Sequence, residues 1–169
     1  MRLRNSVPLF AGVILMLAGP VPAAIAGTVN VSFVNAPSFE DAGATSWEEK
    51  ANLQALAAHL QGLGQRMLPA NQVLTVEVLD VDLAGTLRPF RLGSQLRVLR
   101  GGADWPRMHM RYTLEVDGKA VTRGDEWVAD IDYWHGISSY RDSQSLYYEK
   151  RMLNAWFKAR FADSRAAAG

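Results

Sequence analysis

The chain has 169 residues, of which 49% are apolar, and its 18 Lys+Arg nearly balance its 17 Asp+Glu. This length suits one domain with its own core, and the composition excludes a wholly disordered chain. The sequence contains no cysteine, which excludes disulfides, thiolate metal ligands and a thiol nucleophile. The near-neutral charge gives no reason to expect nucleic acid as a partner.

Residues 1–26 have the layout of a cleaved Sec signal peptide. Arg2 and Arg4 precede a short apolar run, and Ala24-Ile25-Ala26 forms a small-residue cleavage motif. The apolar run is about a dozen residues, shorter than the roughly 20 that span a bilayer, although an uncleaved anchor remains the alternative. Cleavage after Ala26 predicts a periplasmic or secreted protein that does not span a membrane, with 16 basic and 17 acidic residues.

The first elements of the remaining chain are a strand and a helix. Alternation over Thr28 to Phe33 predicts a half-buried strand. Ser46 and Glu49 have the capping-box spacing, which predicts a helix that begins at Ser46 and ends before Pro69. Its apolar stripe consists of Leu53, Leu56, Leu60, Leu63 and Met67. Gly62 and Gly64 near the end of this helix are compatible with a close approach to the sheet.

The segment Val73 to Leu83 predicts the strongest strand, but its apolar pattern changes phase. Residues of even parity are apolar up to Val78, and residues of odd parity are apolar from Leu79 onwards. A β-bulge near Val78-Leu79 would keep both sets on one face. Alternatively, both faces of the strand are covered at different points along its length.

The second half of the chain predicts a hairpin followed by a helix. Gln95 to Leu99 has the pattern of a short strand, and Arg107 to Val116 alternates cleanly. Asp117-Gly118 is a type I′ turn pair, which predicts that Lys119 to Tyr133 forms the antiparallel partner. A loop then leads to a second helix over about Gln144 to Ala162.

This order of elements predicts an α+β fold. We expect a mostly antiparallel sheet of about four to five strands with two helices packed on it. We expect a single domain over residues 27–163 and a frayed tail over residues 164–169.

Several phrases of the sequence together resemble a known family. They are Val31-Ser-Phe-Val-Asn-Ala-Pro-Ser-Phe39, Leu79-Asp-Val-Asp-Leu-Ala-Gly85, Arg97-Val-Leu-Arg-Gly-Gly-Ala-Asp-Trp-Pro106, Arg111-Tyr-Thr-Leu114, Tyr148-Glu-Lys-Arg-Met-Leu153 and Trp156-Phe157. The chain resembles an exported bacterial family known as domain of unknown function 3016. The resemblance implies an exported protein, and it brings no activity, ligand or catalytic residue.

The alternating strand Arg107 to Val116 carries the first candidate binding surface. Arg107, His109 and Arg111 share its outward face, and arginine binds carboxylate and phosphate groups through two hydrogen bonds. This pattern is compatible with a site for an anion or an acidic partner. The alternative is that these cations pair across the strands with acidic residues, namely Glu115, Asp125 and Glu126.

Exposed aromatic side chains are the second candidate. Trp105 follows a glycine-rich turn, and Trp134 and Tyr140 lie in an aromatic-rich stretch before the last helix. Aromatic residues at such positions bind partners because they bury a large area and keep a polar handle. The alternative is that they close the core at its edge.

Two pairs of acidic residues are the third candidate. Asp80 and Asp82 share one face of a strand, as do Asp130 and Asp132. If their strands were neighbours, the four carboxylates could converge on a hard cation such as Ca²⁺. The alternative is that each acid faces solvent or pairs with a nearby arginine.

Together these patterns favour a non-enzymatic, exported module that binds an envelope protein or a small ligand, with no cofactor. The alternative function is a cation-dependent or hydrolytic enzyme that uses the four aspartates. Homo-oligomerisation through an exposed sheet edge is also left open.

Overall fold

A computed structural model of the chain describes residues 26–135 and 145–161, and they form an α+β fold. The predicted signal peptide, apart from Ala26, and the predicted tail lie outside these residues. The strands are β1 (Thr28–Phe33), β2 (Gln72–Asp82), β3 (Thr86–Pro89), β4 (Gln95–Val98), β5 (Arg107–Val116) and β6 (Lys119–Ala129). The helices are α1 (Ser46–Met67) and α2 (Tyr147–Phe161). Two single-turn 3₁₀ helices lie at Ala36–Ser38 and Arg91–Gly93.

The main sheet has four strands in the order β1-β2-β5-β6. β1 and β2 are parallel because α1 connects them, whereas β2–β5 and β5–β6 are antiparallel. The sheet is therefore mixed, with two of its three pairings antiparallel. β3 and β4 form a separate antiparallel hairpin, and β3 was not predicted from the sequence.

Both helices contribute to one core with the same face of the sheet. Leu56 and Leu60 of α1 and Leu153 and Phe157 of α2 are fully buried. They belong to one apolar cluster that includes the inward side chains of the sheet: Leu74, Val76, Val78, Val81, Met108, Met110, Tyr112, Leu114 and Val128. We call this the inner face of the sheet, and we call the opposite one the outer face.

The predicted bulge in β2 is confirmed. The β2–β5 register shifts between Val78 and Asp80, so Leu79 is the extra residue. Val78 and Val81 are both completely buried although their parities differ. The bulge thus keeps the inner face apolar along the whole strand.

Helix α1 begins at Ser46 as predicted, but the predicted capping box is wrong by one residue. Thr45, not Ser46, is the N-cap, and its hydroxyl accepts a hydrogen bond from the Glu48 backbone N–H at 3.2 Å. Glu48 reaches back to the backbone N–H of Ala44 at 3.0 Å. The sequence offers the capping-box spacing in both registers, and the structure uses the earlier one.

Gly64 confirms the predicted close approach of α1 to the sheet. A Cβ atom at this position would lie 2.2 Å from Cγ2 of Val29 in β1. At Gly62 the nearest such contact is the end of the flexible Arg66 side chain, at 3.0 Å. Only Gly64 is therefore required for packing against the sheet.

The hairpin turn is confirmed and the predicted strand after it is too long. Asp117 and Gly118 have φ values of 50° and 74°, as a type I′ turn requires. β6 ends at Ala129 instead of Tyr133, and residues 130–135 form turns. α2 begins at Tyr147, and Gln144 and Ala162, the predicted ends of this helix, lie outside the described residues.

Candidate functional site on the outer face of the sheet

The structure brings Arg107, His109 and Arg111 together on the outer face. They alternate along β5 with Met108 and Met110, which are completely buried on the inner face. The three polar side chains therefore project to the same side because strand side chains alternate. No helix among the described residues packs over them, and Arg107 and Arg111 are exposed.

Trp127 of β6 is the centre of this surface, and the sequence reading did not single it out. It lies opposite His109 in the β5–β6 register, and the two rings stack with centroids 4.9 Å apart and an interplanar angle of 13°. The guanidinium carbon of Arg107 lies 5.5 Å from the centroid of the same indole. Trp127 is still 52% exposed, so a rigidly held indole faces solvent.

Carboxylates from both neighbouring strands pair with the three basic side chains. Asp125 of β6 lies 2.6 Å from Nε2 of His109 and accepts a hydrogen bond from Nε of Arg111 at 2.9 Å. Asp82 of β2 accepts one from Nε of Arg107 at 2.9 Å. Glu77 is 3.6 Å from Arg111. The basic side chains of β5 therefore pair across the strands with carboxylates. Of the three acids that the sequence suggested as partners, namely Glu115, Asp125 and Glu126, only Asp125 takes part.

Two of the three acids of this network have shifted pKa values, and the shifts have opposite signs. Hydrogen bonds from His109 and Arg111 lower the pKa of Asp125 below its usual range. Burial raises the pKa of Asp82, although the hydrogen bond from Arg107 opposes this effect. The outer face is a network of paired charges around an aromatic ring, which suits binding of a polar and aromatic surface better than capture of a free anion.

The aromatic residues predicted from sequence belong to a different part of the molecule. Trp105 is half-buried against a small second cluster that contains Tyr133. The Tyr133 hydroxyl donates to Asp104 at 2.7 Å and accepts from the backbone N–H of Gly101 at 3.0 Å. Burial and the neighbouring carboxylate raise the pKa of Tyr133 to about 12. Trp105 therefore closes the edge of the core.

Trp134 also lies beside this second cluster. Its indole covers Gly101, where a Cβ atom would lie 2.5 Å from the ring, and it meets Tyr133 edge-to-face at 6.1 Å. Trp134 keeps 44% of its surface exposed. Tyr140 lies outside the described residues.

Asp80 and Asp82 make separate interactions at the end of β2. Asp80 accepts hydrogen bonds from the backbone N–H groups of Glu40 at 2.8 Å and Val81 at 2.9 Å. Asp82 is paired with Arg107, as described above. The two carboxylates of this pair therefore bind different partners.

Asp130 and Asp132 lie beyond the end of β6, and β5 separates that strand from β2. Arg151 of α2 binds Asp130, with Nη2 and Nε at 2.6 and 2.9 Å from one carboxylate oxygen. Asp132 is exposed, with His135 3.8 Å away. In the described ranges no group of three or more acidic or histidine side chains is placed to hold a metal ion.

A cleft of about 410 Å³ lies where the N-terminal end of α2 meets the end of β2. Glu149 lines it and is only 3% exposed, and its carboxylate accepts a hydrogen bond from the backbone N–H of Ala84 at 2.8 Å. Burial raises the pKa of Glu149. Arg97 also lines the cleft and is held by two hydrogen bonds to Asp41, at 2.7 and 2.8 Å.

Comparison with known proteins identifies the family. The family model for a protein of unknown function (DUF3016) matches residues 27–159. The chain belongs to this family. None of the curated proteins matches this chain.

A solved structure of a minor lipoprotein from Acinetobacter baumannii is similar to this DUF3016 protein over 86% of this chain and 97% of that chain. The identity is 11% and the TM-score is 0.30, values too low to carry an argument about fold or function. No helix in the described part of the DUF3016 chain has the length and apolar character needed to cross a membrane.

The sequence did not predict that Trp127 lies on the outer face. A two-residue turn at Asp117-Gly118 without any bulge would place Glu126 opposite His109 and turn Trp127 inward. The register instead shifts between Leu114 and Glu115, which moves Trp127 to the outer face. Nothing in the alternation of β6 indicated that shift.

Glu149 could have been found as a charged residue among the buried positions of α2.

Proposed function

We propose that this DUF3016 protein is exported to the bacterial cell envelope and binds a protein partner through the outer face of its sheet. The signal-peptide layout of residues 1–26 supports export, and the family match begins at residue 27, directly after the proposed cleavage site. We place the mature protein in the periplasm or the medium.

The observation that carries the proposal is the position of Trp127. Its indole is 52% exposed, yet His109 stacks against it and Arg107 lies over it. A tryptophan held in one orientation loses little conformational freedom on binding. Tryptophan and arginine are also the residues that dominate the binding energy of protein interfaces.

The surrounding charges indicate which kind of partner fits. Because Arg107 and Arg111 each have a carboxylate partner, a free anion would have to displace Asp82 or Asp125. A protein surface with an apolar pocket for the indole and a polar rim for the paired charges requires no such displacement. This arrangement supports binding over catalysis, since the ionisable groups of the face satisfy one another.

Site-specific photo-crosslinking in living cells tests the proposal. A photoreactive phenylalanine analogue replaces Trp127 in one variant and Trp47 in the control variant. Trp47 is an 80% exposed aromatic residue near the N-terminal end of α1, so it reports non-specific capture. We expect a discrete cross-linked adduct at position 127 that is absent at position 47.

A second substitution determines whether the adduct depends on this face. Arg107→Ala in the background of the position-127 probe removes the cation over the ring position and should weaken the adduct. Equal adducts at positions 127 and 47, or an adduct that ignores Arg107→Ala, would contradict the proposed binding face.

Export is tested separately from binding. The denatured mass of protein purified from the periplasm should correspond to a chain that begins at Gly27. A mass that includes residues 1–26 would show that the apolar segment is retained and would remove the proposal of a cleaved signal.

The cleft around Glu149 supports a second candidate, the binding of a small molecule that donates a hydrogen bond to a carboxylate. The supporting observation is a buried carboxylate that lines a cleft of about 410 Å³. Native mass spectrometry of protein from its own periplasm should then show an excess mass that disappears on denaturation. The same excess in Glu149→Gln, or none in the natural protein, would rule this candidate out.

A further inference from the structure

The free edge of β6 is the longest unpaired strand edge in the described part of the molecule. β6 spans 11 residues and is paired with β5 on one side only, whereas the other edge strand, β1, has six residues. An exposed edge presents a row of backbone donors and acceptors that can pair with another strand. The composition of β6 indicates which strand would fit.

β6 is self-complementary when read antiparallel about Gly124. In that register Arg123 of one copy lies opposite Asp125 of the other, and Val121, the bulged residue of β6, lies beside Trp127. A two-fold axis repeats both contacts, so two opposite-charge pairs and two apolar contacts form across the strands. Val121 and Trp127 are exposed by 56% and 52%, so the pairing would cover two large apolar side chains in each copy.

The neighbouring registers are unfavourable. A shift of two residues in one direction places Arg123 opposite its own copy, and a shift in the other direction does the same for Asp125. Like charges directly opposite one another destabilise a strand pair. A shift of one residue would bring an inner-face position opposite an outer-face position. Charge therefore selects the register centred on Gly124.

The groove beside this edge is consistent with coverage by a second copy. It lies between β6 and α2, has a volume of about 800 Å³ and includes the apolar side chains of Val128, Met152, Ala155, Trp156 and Ala159. Strand pairing at β6 would bring the α2 helices of two copies to the same side of the joined sheet. Each copy would thus help to close the groove of the other.

From this complementarity of charge and apolar surface we propose that the protein forms a two-fold symmetric dimer through antiparallel β6–β6 pairing centred on Gly124. The joined sheet has eight strands, and its outer face carries both copies of Trp127. The proposal does not rest on the proposed partner, because it concerns the purified protein alone.

Cysteine cross-linking reads the register directly, since the natural chain has no cysteine. Val121→Cys and Trp127→Cys are made as separate single variants and mixed in equal amounts under mild oxidation. We expect a disulfide-linked dimer in the mixture and little in either variant alone. In the proposed register, identical positions lie roughly 20 Å apart, because a strand rises about 3.3 Å per residue.

A register control uses Ala129→Cys in place of Trp127→Cys. Position 129 is exposed on the same strand, but it lies two residues beyond Trp127, which is the position nearest to Val121, at a distance of about 7–8 Å from Val121. Cross-linking with Ala129→Cys as efficient as with Trp127→Cys, or efficient cross-linking of either single variant, would overturn the proposed pairing.

A charge reversal tests the dimer without altering its apolar contacts. Arg123→Glu places an acid opposite Asp125 twice, and we expect about a tenfold weaker dimer by sedimentation. Arg91→Glu makes the same charge change at an exposed position outside the four-stranded sheet and should leave the dissociation constant unchanged. A natural protein that stays monomeric at every concentration overturns the proposal and leaves the β6 edge to a strand of another protein.

Discussion

The two faces of the β5–β6 hairpin share one backbone but have opposite environments. On the inner face Met108, Met110 and Tyr112 are buried beneath the helices. On the outer face the residues between them, such as His109 and Arg111, pair with Asp125 in partial contact with solvent. The alternation of strand side chains therefore separates the stabilising core from the proposed binding surface at the level of single residues.

The two faces should contribute very differently to stability. Burial of apolar side chains supplies most of the folding free energy, and exposed ion pairs contribute little of it. Changes on the outer face should consequently alter binding with little loss of stability.

The largest effect is expected for matched aromatic truncations on the two sides. Phe157→Ala removes a completely buried ring of the helix layer and should lower the free energy of unfolding by about 3–5 kcal/mol. Trp127→Ala removes a half-exposed ring and should cost less than about 1 kcal/mol. Urea denaturation measures both. Comparable losses would mean that the outer face is part of the stabilising core.

The next effect concerns the contact between α1 and the inner face. Gly64→Ala forces a Cβ atom against Val29 and should destabilise the fold by about 1–3 kcal/mol. Gly62→Ala, two residues away, meets only the mobile end of Arg66 and should stabilise the helix by up to about 1 kcal/mol. If the two variants changed stability in the same direction, the close approach at Gly64 would be refuted.

The buried acid of the helix layer should give a smaller, pH-dependent effect. Burial raises the pKa of Glu149 in the folded protein, so the folded state retains a proton that the unfolded state has released. Stability therefore falls as the pH rises from the ordinary glutamate pKa to the raised one. Glu149→Gln should remove this fall in urea titrations over that range. An unchanged pH profile would show that Glu149 does not titrate differently on folding.

The exposed acid of the outer face should give the smallest effect, with the opposite sign. His109 and Arg111 lower the pKa of Asp125, so its contribution is present above the ordinary aspartate pKa and disappears as the pH falls to the lowered one. Asp125→Asn should therefore be less stable than the natural protein near neutral pH and equal to it in strong acid. A constant difference across the titration would contradict the charge pairing.

Much of the inner face could be predicted because apolar periodicity reports burial directly. The stripe of α1 and the alternation of β5 identified most of their buried residues. The N-cap of α1 was predicted one residue too late because Thr45 and Ser46 are each followed by a glutamate at the capping-box spacing. On the outer face the polar residues of β5 and their partner Asp125 were identified, but Asp82 and Glu77 were not, since they come from a strand more than 20 residues away in sequence.

The two bulges separate what the sequence by itself determined from what only the tertiary structure decided. β2 is apolar on nearly every inward position, so its change of phase at Val78 and Leu79 revealed the bulge. β6 is mostly polar and exposed, so its own pattern did not record the bulge at Val121. That bulge turns Trp127 outward and Glu126 inward, where Trp156 donates a hydrogen bond to it at 3.0 Å. Only packing against β5 and α2 could select that register, because a one-residue slip exchanges the faces of a strand without altering its sequence.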